Sequence, residues 1–258
     1  MSNAWIEVAQ RVFARRHTEL DLTTGLVVGE ESALVIDTRG DHRQGAELAE
    51  AVRSITRLPL QIALTHGHFD HCFGTSAFLP APVRAHARCP DFLARAAVDQ
   101  RQHWVEHYRA QGDPDTADAL AASSPAPPDH LVTDTASLDL GDRPVRLHHF
   151  GPGHTDHDLV VEIPDTAVVF AGDLVEQGAP PDFEDAHPLH WPSAVDALLA
   201  LGPTTVVPGH GSPVTPDFAR GQSAELAELA DICRGLISPE KSPFPAETTR
   251  TALDRPVQ

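Results

Sequence analysis

The sequence predicts an α/β sandwich folded as one domain over residues 1–258. Three observations predict it. Short apolar runs alternate with helical patterns along most of the chain, the pattern of sheets covered by helices. A chain of 258 residues is long enough to bury a large core as one unit. No stretch offers a second hydrophobic core, and residues 90–130 read as an inserted helical lid rather than a domain.

The region from Val8 to Arg39 reads as short strands. In "GLVVGEESALVIDTRG" two apolar runs flank a "GEES" turn, a hairpin signal. Asp41 can cap a helix through "HRQGAELAEAVRSI", where Leu48, Val52 and Ile55 recur at helical spacing. "LQIALT" is short, apolar and bounded, as a buried strand is. "GTSAFL" opens another helix, and "PVRAHA" reads as a strand.

"DFLARAAVDQRQHWVEHYRAQ" is helical in pattern, whereas "GDPDTADALAASSPAPPDH" is polar, Ala-rich and Pro-rich and reads as a mobile loop. Strand patterns return in "VRLHHFG", "LVVEI" and "VVFAGDL". "SAVDALLAL" is a helix with Trp191-Pro192 just before it. "TTVVPGHG" is a last short strand with its loop, and "AELAELADICRGLI" an amphipathic helix. From Ser238 the tail is rich in proline and polar residues.

Composition excludes several functions. A hydrophobic fraction of 41% with 22% charged residues describes a soluble globular protein. No run of eighteen apolar residues stands ready to cross a membrane. The opening segment has no long apolar region, which predicts no Sec signal and a cytoplasmic location. With 19 basic residues against 37 acidic ones, the chain lacks the basic excess that nucleic-acid binding draws on. Cys72, Cys89 and Cys233 form no CxxC pair and suit a reducing compartment better than a disulfide framework. The expected partner is a small molecule, with no nucleic acid and no membrane. Composition sets no oligomeric state.

The chemistry concentrates first in "THGHFDHCFG". Side chains at i and i+2 of an extended segment point the same way, so His66 and His68 project together from a strand end. Neutral imidazoles bind a cation such as zinc at about 2.0–2.1 Å, and two of them form half a tetrahedral site. Asp70 and His71 lie on the turn beyond, and the odd step from His68 to His71 aims that ring elsewhere. Two neighbouring cations give all four residues a role. One cation would leave Asp70 or His71 without one. Among 16 histidines, the pairs His148-His149 and His103/His107 read as chance.

Three later loops offer further ligands: His154 in "GPGHTDHD", Asp173 in "VVFAGDL" and His210 in "VVPGHG". Each has an apolar strand behind it and a glycine beside it, which lets the backbone turn sharply. The ordered set of HxHxDH, GHT, a strand-end AGD and PGH resembles the metallo-β-lactamase superfamily of metallohydrolases, from "ALVIDT" to "VVPGHG". The resemblance implies a four-layer αββα sandwich with a dinuclear metal site between sheet ends. By it, His66, His68 and His154 hold the first metal. Asp70, His71 and His210 hold the second, and Asp173 bridges the two. AGD and PGH are nearer to glyoxalase II-like hydrolases than to lactamases that use a cysteine at the second metal. Glyoxalase II-like chains often carry Gly-Gly after HxHxDH. Here Cys72-Phe73-Gly74 follows, with Cys72 read as core filling.

What the resemblance implies chemically is a metal-dependent hydrolase with two divalent ions, zinc first and iron or manganese as alternatives. Cations about 3.5–4 Å apart share a water whose pKa falls toward about 7. The bridging hydroxide then attacks the carbonyl of a small ester, thioester, lactone or amide. Asp70 is the catalytic candidate, binding its metal and orienting the hydroxide. Thr155 and Asp158 are candidates for orienting ligand rings, Asp158 equally for a structural cap, while Asp156 and His157 read as exposed. Tyr108 and Trp104 read as packing the lid helix into a core. His187, His190 and Trp191 are candidates for the pocket rim. No Arg/Lys cluster near the motifs would receive coenzyme A or a glutathione carboxylate. Two other activities compete: a mono-iron persulfide dioxygenase-like oxidoreductase, which has no use for the second ligand set, and a β-lactamase, which would work outside the cytoplasm.

Overall fold

Ala33 and Val35 face one way along their strand, Leu34 and Ile36 the other, and all four are buried. Successive strand residues point to opposite faces, so this strand carries an apolar layer on each side. The same holds across two sheets in the computed structural model, which describes residues 4–255. Residues 1–3 and 256–258, included in the single-domain expectation, lie outside the described residues.

The first sheet holds β1 (Trp5–Ala9), β2 (Val12–Arg16), β3 (Thr23–Val28), β4 (Ala33–Ile36), β5 (Leu60–Ala63), β6 (Val83–His86) and β7 (His130–Val132), with spatial order following chain order. The second sheet holds β8 (Thr135–Asp139), β9 (Pro144–His148), β10 (Val160–Ile163), β11 (Val168–Glu176) and β12 (Thr205–His210), in the order β12-β11-β10-β9-β8. Strands β4 to β7 are parallel, as are β11 and β12; the other pairs are antiparallel.

Three apolar layers hold this together. Leu34, Ile36 and Ala63 of the first sheet meet Leu147, Val161 and Phe170 of the second. The outer face of the first sheet packs against α1 (His42–Ile55) and, beyond the single turn α2 (Phe69–Cys72), against α3 (Cys89–Ala110) and α4 (Pro114–Ala121). The outer face of the second packs against α5 (Trp191–Ala200), α6 (Pro216–Cys233) and α7 (Ala246–Leu253). Helix, sheet, sheet, helix is the αββα sandwich that the motifs implied.

The "GEES" turn does join paired strands, with Gly29 N–H donating to Ser32 O at 3.0 Å and Leu26 opposite Val35. Asp41 caps α1 by accepting from the N–H groups of Arg43 and Gln44 at 2.7 and 2.8 Å. Leu48 and Val52 are buried as their spacing predicts, whereas Ile55 is exposed at the helix end.

Several expectations need correction. The stretch expected to be a mobile loop contains α4: Asp113 accepts from Thr116 N–H, Pro114 starts the helix, and Ala117 and Leu120 are buried. Proline at a first helical position loses no hydrogen bond, so its presence does not forbid a helix. "GTSAFL" closes a single 3-10 turn, Thr75–Phe78. α5 begins at Trp191 itself, and α6 begins at Pro216, earlier than its apolar pattern. The polar tail contains α7, whose Ala252 is buried in the outer layer. Among the described residues, no helix is long and apolar enough to cross a membrane.

Candidate metal centre

Strand β5 is buried and parallel to its neighbours, so the chain leaves its C-terminal end directly into the site. His66 follows closely, His68 is the extended residue before α2, and α2 carries Asp70 and His71. The rings of His66 and His68 meet edge to face at 4.6 Å. His154 lies in the connection from β9 to β10. Leu159 N–H ties that connection to Thr65 O at 2.7 Å.

Asp173 does not end its strand, as "AGD" suggested; β11 runs on to Glu176. Gly172 adopts φ +54, and the pairing with β12 shifts register around it, which turns Asp173 into the site. His210 is the last residue of β12. The preceding Gly209 leaves room for the carboxylate, since a Cβ there would lie 1.8 Å from Asp173 Oδ1.

The seven side chains singled out in the sequence converge in two adjacent groups. His66, His68, His154 and Asp173 offer donor atoms within 4.8 Å of one another, and so do Asp70, His71 and His210. His68 Nδ1 faces His154 Nε2 at 3.0 Å. In the second group His71 Nε2 and His210 Nε2 are 3.4 Å apart, and His210 Nε2 is 3.4 Å from Asp70 Oδ2. Asp173 touches both groups. Its Oδ2 is 3.6 Å from His154 Nε2 and 3.3 Å from His210 Nε2, and its Oδ1 is 3.2 Å from His71 Nε2.

These residues fit divalent cations. His66 Nε2 and Asp173 Oδ1 are buried with no hydrogen-bond partner, although such atoms are costly to leave unpaired. Two ligand nitrogens on one tetrahedral ion, each at about 2.0–2.1 Å, stand roughly 3.4 Å apart, close to the separations seen here. The donor set is imidazole and carboxylate, which suits zinc.

Electrostatics follow from burial and crowding. Burial, then the His71 charge, holds His66 well below the ordinary imidazole range. Burial opposes ionisation of Asp173, but His71, His210 and His66 hold its carboxyl well below the usual range. Burial also opposes protonation of His210 and His68. Asp173 nevertheless lifts His210 to about 10, and Asp185 lifts His68 to about 9. A cation entering the site replaces protons that the carboxylates otherwise draw onto these rings.

The family model described as "Metallo-beta-lactamase superfamily" matches residues 18–210, three quarters of the chain and all seven converging residues. The chain belongs to the metallo-beta-lactamase superfamily. Its similar proteins include a "Metallo-beta-lactamase type 2" of Bacillus sp. (strain 170), 23% identical over 216 residues, which is 81% of this chain and 73% of that protein. A "Metallo-beta-lactamase type 2" of Bacteroides fragilis is 30% identical over 89 residues, 33% of this chain and 36% of that one. The human "Acyl-coenzyme A thioesterase MBLAC2" is 27% identical over 176 residues, 60% of this chain and 58% of its own length. Two solved structures show the same fold. The metallo-beta-lactamase from Pontibacter korlensis superposes with a TM-score of 0.70 at 19% identity, covering 87% of this chain and 98% of that one. The mono-zinc form of FIM-1 from Pseudomonas aeruginosa gives 0.66 at 21% identity, covering 89% and 96%.

Around this superfamily's histidine cluster stand residues that the sequence did not announce. Asp37 accepts the Nδ1–H of His71 at 2.8 Å, and Asp185 lies 3.1 Å from His68 Nε2. Each fixes which ring nitrogen carries the proton and leaves the other for the cluster. His210 Nδ1–H donates to Leu20 O at 2.8 Å with the same effect. Asp37 had a legible signal, a carboxylate directly after the apolar run "ALVI". Asp185, in the loop "DFEDAH", had none.

Other expectations divide. Asp158 touches no ligand ring. It accepts from Thr155 N–H and Oγ1–H at 2.9 and 2.6 Å and so braces the His154 loop as a structural cap. His157 is buried, not exposed, and its Nε2 accepts Gly67 N–H at 3.1 Å, bracing the segment between His66 and His68. Cys72 is buried among apolar residues, burial pushes its thiol well up, and its S–H points at Gly67 O. Trp191 packs beneath His154 with ring centroids 5.4 Å apart and is fully buried, so it lines no rim. Nor do His187 and His190 line the cavity over the cluster. Tyr108 is buried as expected and donates to Glu19, but Trp104 stacks on Phe69 and lines that cavity, as does His103. The cavity has a volume of about 740 Å³ and exposes His68, Asp70, Asp173 and His210 at its floor.

Proposed function

We propose that this protein is a dinuclear metal hydrolase, with zinc as its metal, acting on the carbonyl of a small ester, thioester, lactone or amide. The observation that carries this is the second donor group. Asp70, His71 and His210 converge beside His66, His68 and His154, with Asp173 in reach of both. A mono-iron dioxygenase would leave Asp70, His71 and His210 without a task.

When bound, two such cations supply an acidified water and polarise the carbonyl oxygen. His66, His68 and His154 would hold one cation and Asp70, His71 and His210 the other, with Asp173 in reach of both. Asp70 reaches the cavity floor, where its carboxylate can accept a hydrogen bond from the attacking water and set its direction. Asp37 and Asp185 keep His71 and His68 from turning, so the donors need no rearrangement when substrate arrives. A cytoplasmic place of action belongs to the same proposal, supported by three free thiols.

A substrate panel tests the reading: chromogenic ester, thioester, lactone, anilide, β-lactam and phosphodiester, with and without a chelator. Hydrolysis of a carbonyl substrate, lost on chelation and restored by zinc, is the expected result. Oxygen consumption with one iron per chain, and no hydrolysis, would overturn it. Preferential β-lactam turnover would favour the activity that the names of the Bacillus and Bacteroides relatives carry.

A further inference from the structure

We propose that the cavity over the metal centre selects carbonyl substrates bearing a protonated or quaternary amine beside an apolar group, and rejects those bearing carboxylate or phosphate. This rests on the hydrolase reading and names its substrate class.

The cavity wall is of two kinds. One part is aromatic: Trp104 stacks on Phe69 at 4.6 Å and 30°, with Phe92 nearby. The other part is acidic, with Asp99, Asp182 and Glu184 exposed along the opening. Among the described residues these three carboxylates pair with no basic side chain, whereas Asp21 is held by Arg16 and Asp185 faces His68. Among the described residues, no lysine or arginine lines the cavity. Glu176 also lines it, buried, and accepts Asp182 N–H at 3.1 Å.

The cavity belongs to the metal centre, because four of the seven converging side chains, His68, Asp70, Asp173 and His210, line it. An anionic substituent would find no cationic side chain at the opening and three carboxylates repelling it. An ammonium group would be drawn in by the same field. Over the face of Trp104 it would gain cation–π attraction as well. The carbonyl then sits at the floor and the cationic end at the rim.

The test uses three isosteric butyrate esters with the zinc-loaded enzyme: the choline ester, its neutral 3,3-dimethylbutyl analogue and the 2-sulfoethyl ester. The expected kcat/KM for the choline ester exceeds that of the neutral ester by about tenfold. The sulfonate should be the poorest, and the advantage should shrink at high salt. The double variant Asp182→Asn/Glu184→Gln should bring the first two substrates together. Equal rates for all three esters, a preference for the sulfonate, or a preference untouched by the double variant would overturn the proposal. Binding gives a readout without turnover: benzyltrimethylammonium should quench tryptophan fluorescence at lower concentration than benzylsulfonate, and Trp104→Phe should remove that quenching. Absence of any preference in binding also overturns the proposal. Charge-blind hydrolysis sinks this inference alone. Selective ammonium binding without hydrolysis of any carbonyl compound sinks the hydrolase reading, and with it the substrate class, while the cavity's preference for cations holds.

Discussion

Asp37 Oδ2 accepts the Nδ1–H of His71 at 2.8 Å, and the same carboxylate receives Thr65 N–H and Oγ1–H at 2.7 and 2.8 Å. With Nδ1 committed to Asp37, Nε2 is the His71 nitrogen that faces Asp173 and His210. Asp37 holds φ +60, a conformation asparagine also tolerates, so Asp37→Asn keeps the backbone and removes the charge. The expected result is a loss of roughly 10–100-fold in affinity for the second cation, read by chelator competition. Unchanged affinity would show that the bond only packs the core.

Gly209 and Asp173 share a space too small for another methyl. A Cβ at Gly209 would meet Asp173 Oδ1 at 1.8 Å and backbone of Gly172 and Asp173 at 2.8 and 2.9 Å. Gly209→Ala should therefore displace the carboxylate and lower both metal content and turnover by at least about tenfold, since small misplacements at a reacting site are costly. Wild-type metal content in this variant would contradict the bridging place given to Asp173.

Trp191 joins the site to the outer helical layer. It is fully buried, donates Nε1–H to Leu174 O at 3.1 Å and packs against His154 and Phe183. Trp191→Ala should cost about 3–5 kcal/mol, read as a lower urea midpoint. Trp191→Phe should recover much of it. A midpoint equal to wild type in the alanine variant would mean that the layer collapses around the gap.

His17 predicts an acid-side weakness outside the seven converging side chains. Burial, then Arg39 and Arg15, lowers its pKa to about 2, while Nε2 meets Thr24 Oγ1 at 3.1 Å. In the unfolded chain its pKa is about 6.5. The folded state therefore refuses a proton that the unfolded state takes. The stability that neutral His17 provides is full above about 6.5 and drains as pH falls toward about 2. His17→Gln should flatten this slope, measured by urea unfolding with chelator present at pH 7 and pH 5. Parallel slopes for the two proteins would contradict it.

Much of the site was legible because its ligands sit directly after apolar strands, where backbone position fixes side-chain position. His66, His68 and His210 needed only strand ends and glycines. Asp173 needed a kink inside β11, and Gly172-Asp173 interrupts the apolar run, so the strand's continuation to Glu176 did not read as the same strand. Asp185 and His157 act through contacts across long sequence separations, which no local pattern encodes. Helix α4 was hidden by composition, although Asp113 before Pro114 is a helix-start signal. Strands β7 and β8 are short and largely exposed, so they lack the apolar runs that revealed the others.

The central claim is that two cations share this cluster. Metal stoichiometry of the purified protein, compared with His154→Ala and His210→Ala, tests it most directly. About two zinc ions per wild-type chain are expected, with each variant keeping about one and remaining folded by circular dichroism. One ion in the wild type, lost wholly in His154→Ala and untouched in His210→Ala, would contradict it.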